Sequence, residues 1–138
     1  MGSDTGRRAD ILIVDDDRRC CESLASILEM EGYQVDYAAN GQEALAYLRG
    51  GGDASVILLD LRMPVMDGWT FRREQRGDPG LADIPIVILS GVEADTVQEL
   101  EAAASFSKPV SFLDVVCVVR RLCEARRHNS LSRTPASG

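Results

Sequence analysis

The stretch Ile11-Leu12-Ile13-Val14-Asp15-Asp16-Asp17 decides how this chain folds. A strand with one wet face alternates apolar and polar residues. Here four apolar residues run without a break and then give way to acids, the pattern of a parallel strand covered on both faces at the point where it leaves the sheet. The pattern returns at Val56-Ile57-Leu58-Leu59-Asp60. It appears again from Ile84 to Leu89, closed by Ser90, with Pro85 tolerable only near the beginning because proline has no amide to give a ladder. Tyr33 to Ala38 and the short Ser105 to Ser107 read as the remaining strands.

Helical spacing fills the gaps between them. Cys21, Leu24, Ile27, Leu28 and Glu31 recur on one face, and Gly32 stops that helix. Asn40 is placed to cap a second helix, whose Ala44, Leu45 and Leu48 form a face ahead of Gly50-Gly51-Gly52. No Lys-Ser or Lys-Thr follows that glycine triplet, so it is a loop and not a phosphate cradle. A short helix from Trp69 to Arg76, one from Glu93 to Ala104 and a last one from Ser111 to Arg127 complete the series. Five strand–helix alternations give the α/β class with a doubly wound parallel sheet.

Composition sets the outer bounds. The 138 residues, 45% hydrophobic and 27% charged, suit one domain over residues 9–127, with flexible segments expected at 1–8 and 128–138. No apolar run approaches the roughly 18 residues that span a bilayer, and the first residues lack the apolar stretch of a secretory signal. A cytoplasmic location without membrane contact is therefore expected. The net charge of −7 argues against nucleic acid as a direct partner, although five arginines from Arg120 onward against Glu124 leave the end of the chain basic. Cys20, Cys21, Cys117 and Cys123 show no Cys-x-x-Cys spacing and His128 stands alone, so reduced, mostly packed thiols are expected and not a zinc site.

In open parallel sheets, sites form beyond the carboxyl ends of the strands. Strand one delivers Asp15, Asp16 and Asp17 to that rim, strand three Asp60, strand four Ser90, and strand five Lys108. Crowded carboxylates are costly: two like charges 4 Å apart repel by roughly 4 kcal/mol at an effective dielectric near 20. A hard divalent cation removes that cost, and oxygen ligands with positions left for water and phosphate suit Mg²⁺. An ammonium and a hydroxyl beside it complete what phosphoryl transfer requires, which is positioning and charge stabilisation, and a carboxylate can serve as the nucleophile. Lys108 is the chain's single lysine against 14 arginines, so a compact point charge is singled out there.

With these residues in place, the chain resembles the receiver domain of two-component response regulators over about residues 8–127. The resemblance rests on the acids after strand one, on Asp60-Leu61-Arg62-Met63-Pro64-Val65-Met66-Asp67-Gly68, on Ser90-Gly91, and on Lys108-Pro109, in that order and spacing. It implies a flavodoxin-like five-stranded sheet in the order 2-1-3-4-5 with five helices. It further implies that Asp60 accepts the phosphoryl group and is itself a Mg²⁺ ligand, that Asp16 binds Mg²⁺ directly, and that Asp15 does so largely through water. The backbone carbonyl of Arg62 would be a further ligand, Lys108 would pair with Asp60 and then with the phosphoryl group, and Ser90 would bond that group. The donor would be a phosphohistidine on a histidine kinase or phosphotransfer protein. The output would be contact with an unidentified downstream protein, making the chain a switch and not an enzyme in the ordinary sense.

Two departures from the family pattern stand out. The family places an aromatic three residues before the lysine, where this chain has Ser105, and Phe106 follows. Because strand side chains alternate, Phe106 is expected to face away from Ser105 unless the register shifts. Arg62 and Val92 lie two positions after Asp60 and Ser90; an apolar Val92 orients water poorly and Arg62 could reach phosphate, so a longer-lived phosphoryl group is expected.

Plainer roles compete at several positions. Asp17 reads as a helix cap, Asp67-Gly68 as a turn, Trp69 as packing, and the arginine-rich last helix as a solvated face. Two other functions compete with the whole. A haloacid-dehalogenase-like phosphatase would use Asp15 as its nucleophile but leaves Asp60 unexplained. A receiver-like module that never takes phosphate would have no need of Asp15, Asp16, Asp60, Ser90 and Lys108 together.

Overall fold

The structure is a computed structural model describing residues 9–89, 98–107 and 110–132, with side chains through Arg126. Ser90, Gly91, Val92, Lys108 and Pro109, the first eight residues, the expected helix start at Glu93 and the tail from residue 133 lie outside the described residues.

Strand β1 (Ile11–Val14) leads to α1 (Arg18–Met30), then β2 (Val35–Ala38), α2 (Gly41–Arg49), β3 (Val56–Leu59), α3 (Gly68–Arg76) and β4 (Ile86–Ile88). A helical turn at 98–100 (α4), β5 (Ala104–Ser105) and α5 (Phe112–Ser132) follow. The five strands form one parallel sheet in the order β2-β1-β3-β4-β5.

The unbroken apolar runs are explained by what covers each face. Ile11, Ile13, Val56, Leu58, Val87 and Leu89 pack with Cys21, Leu24 and Leu28 of α1 and Val115, Val119 and Cys123 of α5. The residues between them, Leu12, Val14, Ile57, Leu59, Ile86 and Ile88, pack with Ala44, Leu45 and Leu48 of α2, Phe71 of α3 and Leu100 of α4. Both faces of the sheet are thus dry, so every position of β1 and β3 must be apolar.

The caps set the helix limits. Asp17 accepts from the amides of Arg19 and Cys20 to start α1, and Gly32 at φ +98° follows its end. Asn40 accepts from the amide of Glu43 while Glu43 Oε1 accepts from the amide of Ala39, the residue before the cap, a variant of the capping box at α2. Asp67 accepts from the amide of Thr70 to start α3, so the expected turn residue is a helix cap. Of the four cysteines, Cys21 and Cys123 are buried, Cys20 is half-buried and Cys117 is exposed.

Several boundaries differ from expectation, and β4 covers only Ile86–Ile88 of the run from Ile84 to Leu89. β2 begins at Val35 and not at Tyr33, because the amide of Tyr33 still donates to the α1 carbonyl of Leu28 at 3.2 Å. The chain leaves α4 at Glu101, whose φ of +54° breaks the helix before Ala104, and β5 accordingly covers Ala104–Ser105 instead of Ser105–Ser107. α5 continues to Ser132, past the expected end at Arg127, since nothing before Pro135 interrupts it.

At β5 the alternation holds and no register shift occurs. Ser105 pairs with Ile88 and is exposed, while Ala104 and Phe106 pack on the α1/α5 face. The aromatic at this edge therefore sits on the opposite side of the sheet from Ser105.

Candidate functional site

The ladder between β1 and β3 carries on for one residue beyond the strands. Val14 is opposite Leu59, the amide of Asp60 donates to the carbonyl of Val14 at 2.9 Å, and the amide of Asp15 donates to the carbonyl of Ala38 at 3.1 Å. Asp15 and Asp60 are thereby fixed side by side at the carboxyl rim by backbone bonds alone. Asp15 is 2% exposed and Asp60 6%, whereas Asp16 is open to solvent. Each of the three offers a carboxylate oxygen within 4.8 Å of the others. Among the described residues this is the one cluster of three or more acidic, histidine or cysteine side chains close enough to share an ion.

Local bonds hold these acids in place. Asp15 Oδ1 accepts from the amide of Asp17 at 2.9 Å, and the Asp15 carbonyl accepts from the buried Cys21 thiol at 3.4 Å. Asp17, occupied as the cap of α1, stands apart from the cluster. The donor set is all oxygen and all anionic, which fits a hard divalent cation such as Mg²⁺ and not a soft or nitrogen-seeking metal.

The loop after Asp60 folds tightly against the same rim. Leu61 and Met63 are buried on either side of exposed Arg62, whose amide stands 3.4 Å from Asp60 Oδ1. The amide of Gly68 donates to the carbonyl of Leu61 at 2.9 Å. A Cβ at Gly68 would meet the Asp60 carbonyl oxygen and Leu61 Cδ2, each at 2.7 Å, so only glycine lets α3 start this close to the acid. Val65 closes the turn at φ +73°, a left-handed conformation that a β-branched residue rarely adopts. Trp69, in the first turn of α3, packs against the α2/α3 core and lies under the Arg62 guanidinium, 5.7 Å from ring centre to Cζ.

A second polar feature, unforeseen from the sequence, lies behind this loop. Arg72 is 7% exposed and donates from Nε to the Leu100 carbonyl at 2.8 Å, from Nη2 to the Glu101 carbonyl at 3.1 Å and from Nη1 to Gln75 Oε1 at 2.7 Å. Gln75 in turn donates to the carbonyls of Leu81 and Ile84 at 2.8 and 3.0 Å. Burial, followed by the neighbouring Arg76 charge, pushes the Arg72 guanidinium below its ordinary pKa, and Glu101 opposes the shift. The cation faces the carbonyl end of α4, where the backbone is partially negative. A signal was present in the sequence: Gly68, Phe71, Arg72 and Gln75 fall at i, i+3, i+4 and i+7, the buried stripe of α3.

The site therefore brings Asp15, Asp16 and Asp60 together with the Arg62 amide beside them. Ser90 and Lys108 are outside the described residues. No described helix is long and apolar enough to cross a membrane.

Comparison with known proteins agrees with this architecture. The chain is 36% identical over 118 residues to the response regulator PleD of Caulobacter vibrioides, an alignment covering 83% of this chain and 26% of that protein. It is 35% identical to the transcriptional regulatory protein CpxR homolog of Haemophilus influenzae, covering 88% of this chain and 52% of the relative. The chain thus spans about half, or less, of the length of these relatives. Among solved structures, it superposes with a TM-score of 0.76 on the signal receiver domain of a histidine kinase from Syntrophus aciditrophicus, at 35% identity, covering 85% of this chain and 91% of that one. It superposes at 0.74 on the chemotaxis protein CheY4 of Vibrio cholerae, at 27% identity, covering 84% and 98%. The family model described as the response regulator receiver domain matches residues 11–120, and the chain belongs to that family.

Proposed function

We propose that this receiver domain accepts a phosphoryl group on Asp60 from a phosphohistidine, with Mg²⁺ bound at the acidic rim, and signals through protein contacts. The observation that carries the proposal is the meeting of the Asp15, Asp16 and Asp60 carboxylates at the ends of two adjacent strands. Receiver domains are signalling switches in two-component systems, typically bind Mg²⁺ and interact with histidine kinases or phosphotransfer proteins.

Asp60 is the nucleophile in this reading. One carboxylate oxygen forms the new bond to phosphorus, the P–N bond to the donor imidazole breaks, and the imidazole leaves with its electron pair. The bond from the Asp60 amide to Val14 keeps the acid's backbone fixed during transfer. Asp15, Asp16, Asp60 and the Arg62 carbonyl would hold Mg²⁺, which when bound offsets the charge shared by carboxylates and phosphate oxygens. Lys108 would neutralise a phosphoryl oxygen and Ser90 would bond another; the resemblance in motif order supports both roles. Slow loss of phosphate to water belongs to the same proposal, with apolar Val92 disfavouring an aligned water.

Incubation with acetyl phosphate and Mg²⁺ tests the reading. A phosphoprotein that forms with the wild type, fails with Asp60→Asn and disappears with chelator is the expected result. Labelling that is indifferent to Asp60→Asn would overturn it.

A further inference from the structure

The side chains of exposed Arg62 and half-buried Trp69 touch each other beside the acceptor aspartate's loop. Arg62 makes no ion pair among the described residues; its guanidinium rests on the indole of Trp69, with Cζ 5.7 Å from the ring centre. The backbone holds the two seats of this contact firmly. Leu61 and Met63 anchor the loop on both sides of Arg62, the Gly68 amide ties α3 to Leu61, and Trp69 is half-buried against the core. The Arg62 side chain itself is exposed and long enough to rotate, and its own amide is already beside Asp60 Oδ1.

We infer that Arg62 is a phosphate-responsive latch that rests on Trp69 while Asp60 is unphosphorylated and moves to a phosphoryl oxygen once Asp60 is phosphorylated. The inference rests on the phosphoacceptor reading and adds to it a residue that regulates how easily the phosphorylated state is reached. The physical case is a competition between two partners for one cation. An exposed cation–π contact is weak and weakly directional. A guanidinium on a phosphate makes charge-assisted, paired hydrogen bonds and is much the stronger contact. Asp60 alone is a poor competitor because the residue is only 6% exposed, so a guanidinium would have to give up water to meet its carboxylate. A phosphoryl group adds oxygens and charge beyond that buried carboxylate, so the balance reverses on phosphorylation.

In linkage terms, the Trp69 seat lowers the fraction of Arg62 available to the phosphoryl group. Trp69 is thus a positioning residue that acts only through Arg62. The test is a double-mutant cycle on the affinity for beryllofluoride, a phosphoryl mimic, measured by calorimetry in saturating Mg²⁺. Trp69→Leu should tighten binding by about two- to fivefold, the equivalent of losing an exposed cation–π contact. Arg62→Gln should weaken it, and adding Trp69→Leu to Arg62→Gln should change nothing further. An effect of Trp69→Leu that is absent, opposite in sign, or equally large without Arg62 would overturn the latch.

A second readout keeps the native indole. Trp69 is the chain's only tryptophan, so its emission reports the loss of the overlying cation. Beryllofluoride should shift the emission of the wild type and shift that of Arg62→Gln much less; equal shifts would also overturn the latch. Wild-type protein that takes no beryllofluoride, or takes it no better than Asp60→Asn does, overturns the phosphoacceptor reading and the latch with it. Binding at Asp60 without coupling between Arg62 and Trp69 overturns the latch alone.

Discussion

The amide of Asp60 donates to the carbonyl of Val14 across 2.9 Å, one residue past the end of the β1–β3 pairing. That bond makes the distance between Asp60 and the acids after β1 a property of the sheet and not of any loop. The acidic rim is therefore preorganised: its position is settled when the two strands pair, before any ion or phosphate arrives.

Mg²⁺ should stabilise the protein through this rim. An ion that binds only the folded chain adds about 2.7 kcal/mol at a hundredfold excess over its Kd. Asp16→Asn, which removes the exposed carboxylate of the three, should abolish most of that gain. In chelator the same substitution should instead raise stability by up to about 1 kcal/mol, since it relieves repulsion that solvent partly screens. Urea unfolding of both proteins with and without Mg²⁺ reads all four values, and a wild type indifferent to Mg²⁺ would count against the ion site.

Arg72→Ala should be among the most damaging substitutions outside the rim. It strips donors from Gln75 Oε1 and from the carbonyls of Leu100 and Glu101, all held by one buried side chain. A loss of about 3 kcal/mol is expected from abandoned buried acceptors and the space left behind. Arg72→Lys should recover only part, because an ammonium cannot reproduce the fork. Equal stability of the lysine variant and the wild type would show that charge alone matters there.

Gly68→Ala should disturb the acceptor loop directly. The added methyl meets backbone at 2.7 Å from the Asp60 carbonyl, where nothing flexible can yield. Destabilisation of about 2 kcal/mol and slower labelling of Asp60 should occur together. A variant that melts normally would show that α3 can slide away without cost.

Val65→Asn should have the opposite sign. Val65 is 75% exposed, so little packing is lost, and asparagine accepts the left-handed conformation that strains valine. A gain of about 1 kcal/mol in thermal unfolding is expected. A loss would mean that valine packs against the loop more than its exposure suggests.

Much of this fold was legible in a few features of the chain. Apolar runs without alternation announced strands covered twice, and Asp17, Asn40 and Gly32 marked helix limits that the structure reproduces. The meeting of Asp15, Asp16 and Asp60 followed from strand ends sharing one rim. What escaped depended on contacts distant in sequence. Arg72 and Gln75 are charged and polar residue types that seldom fill a core, and only their place on the α3 stripe signals their burial. The early end of α4 could not be read locally either, since Glu101 turns left-handed where Arg72 takes hold of its carbonyl. The separation of Ser105 from Phe106 followed from strand alternation, so the usual aromatic position is occupied by an exposed serine.

The most direct test maps the phosphorylated carboxylate itself. Borohydride reduces an acyl phosphate to an alcohol, converting a phosphorylated aspartate to homoserine that peptide mass spectrometry can place. Protein treated with acetyl phosphate and Mg²⁺ should carry homoserine at position 60 and at no other aspartate. Homoserine at position 15 would favour the phosphatase chemistry instead, and none anywhere would contradict the central claim that Asp60 is the acceptor.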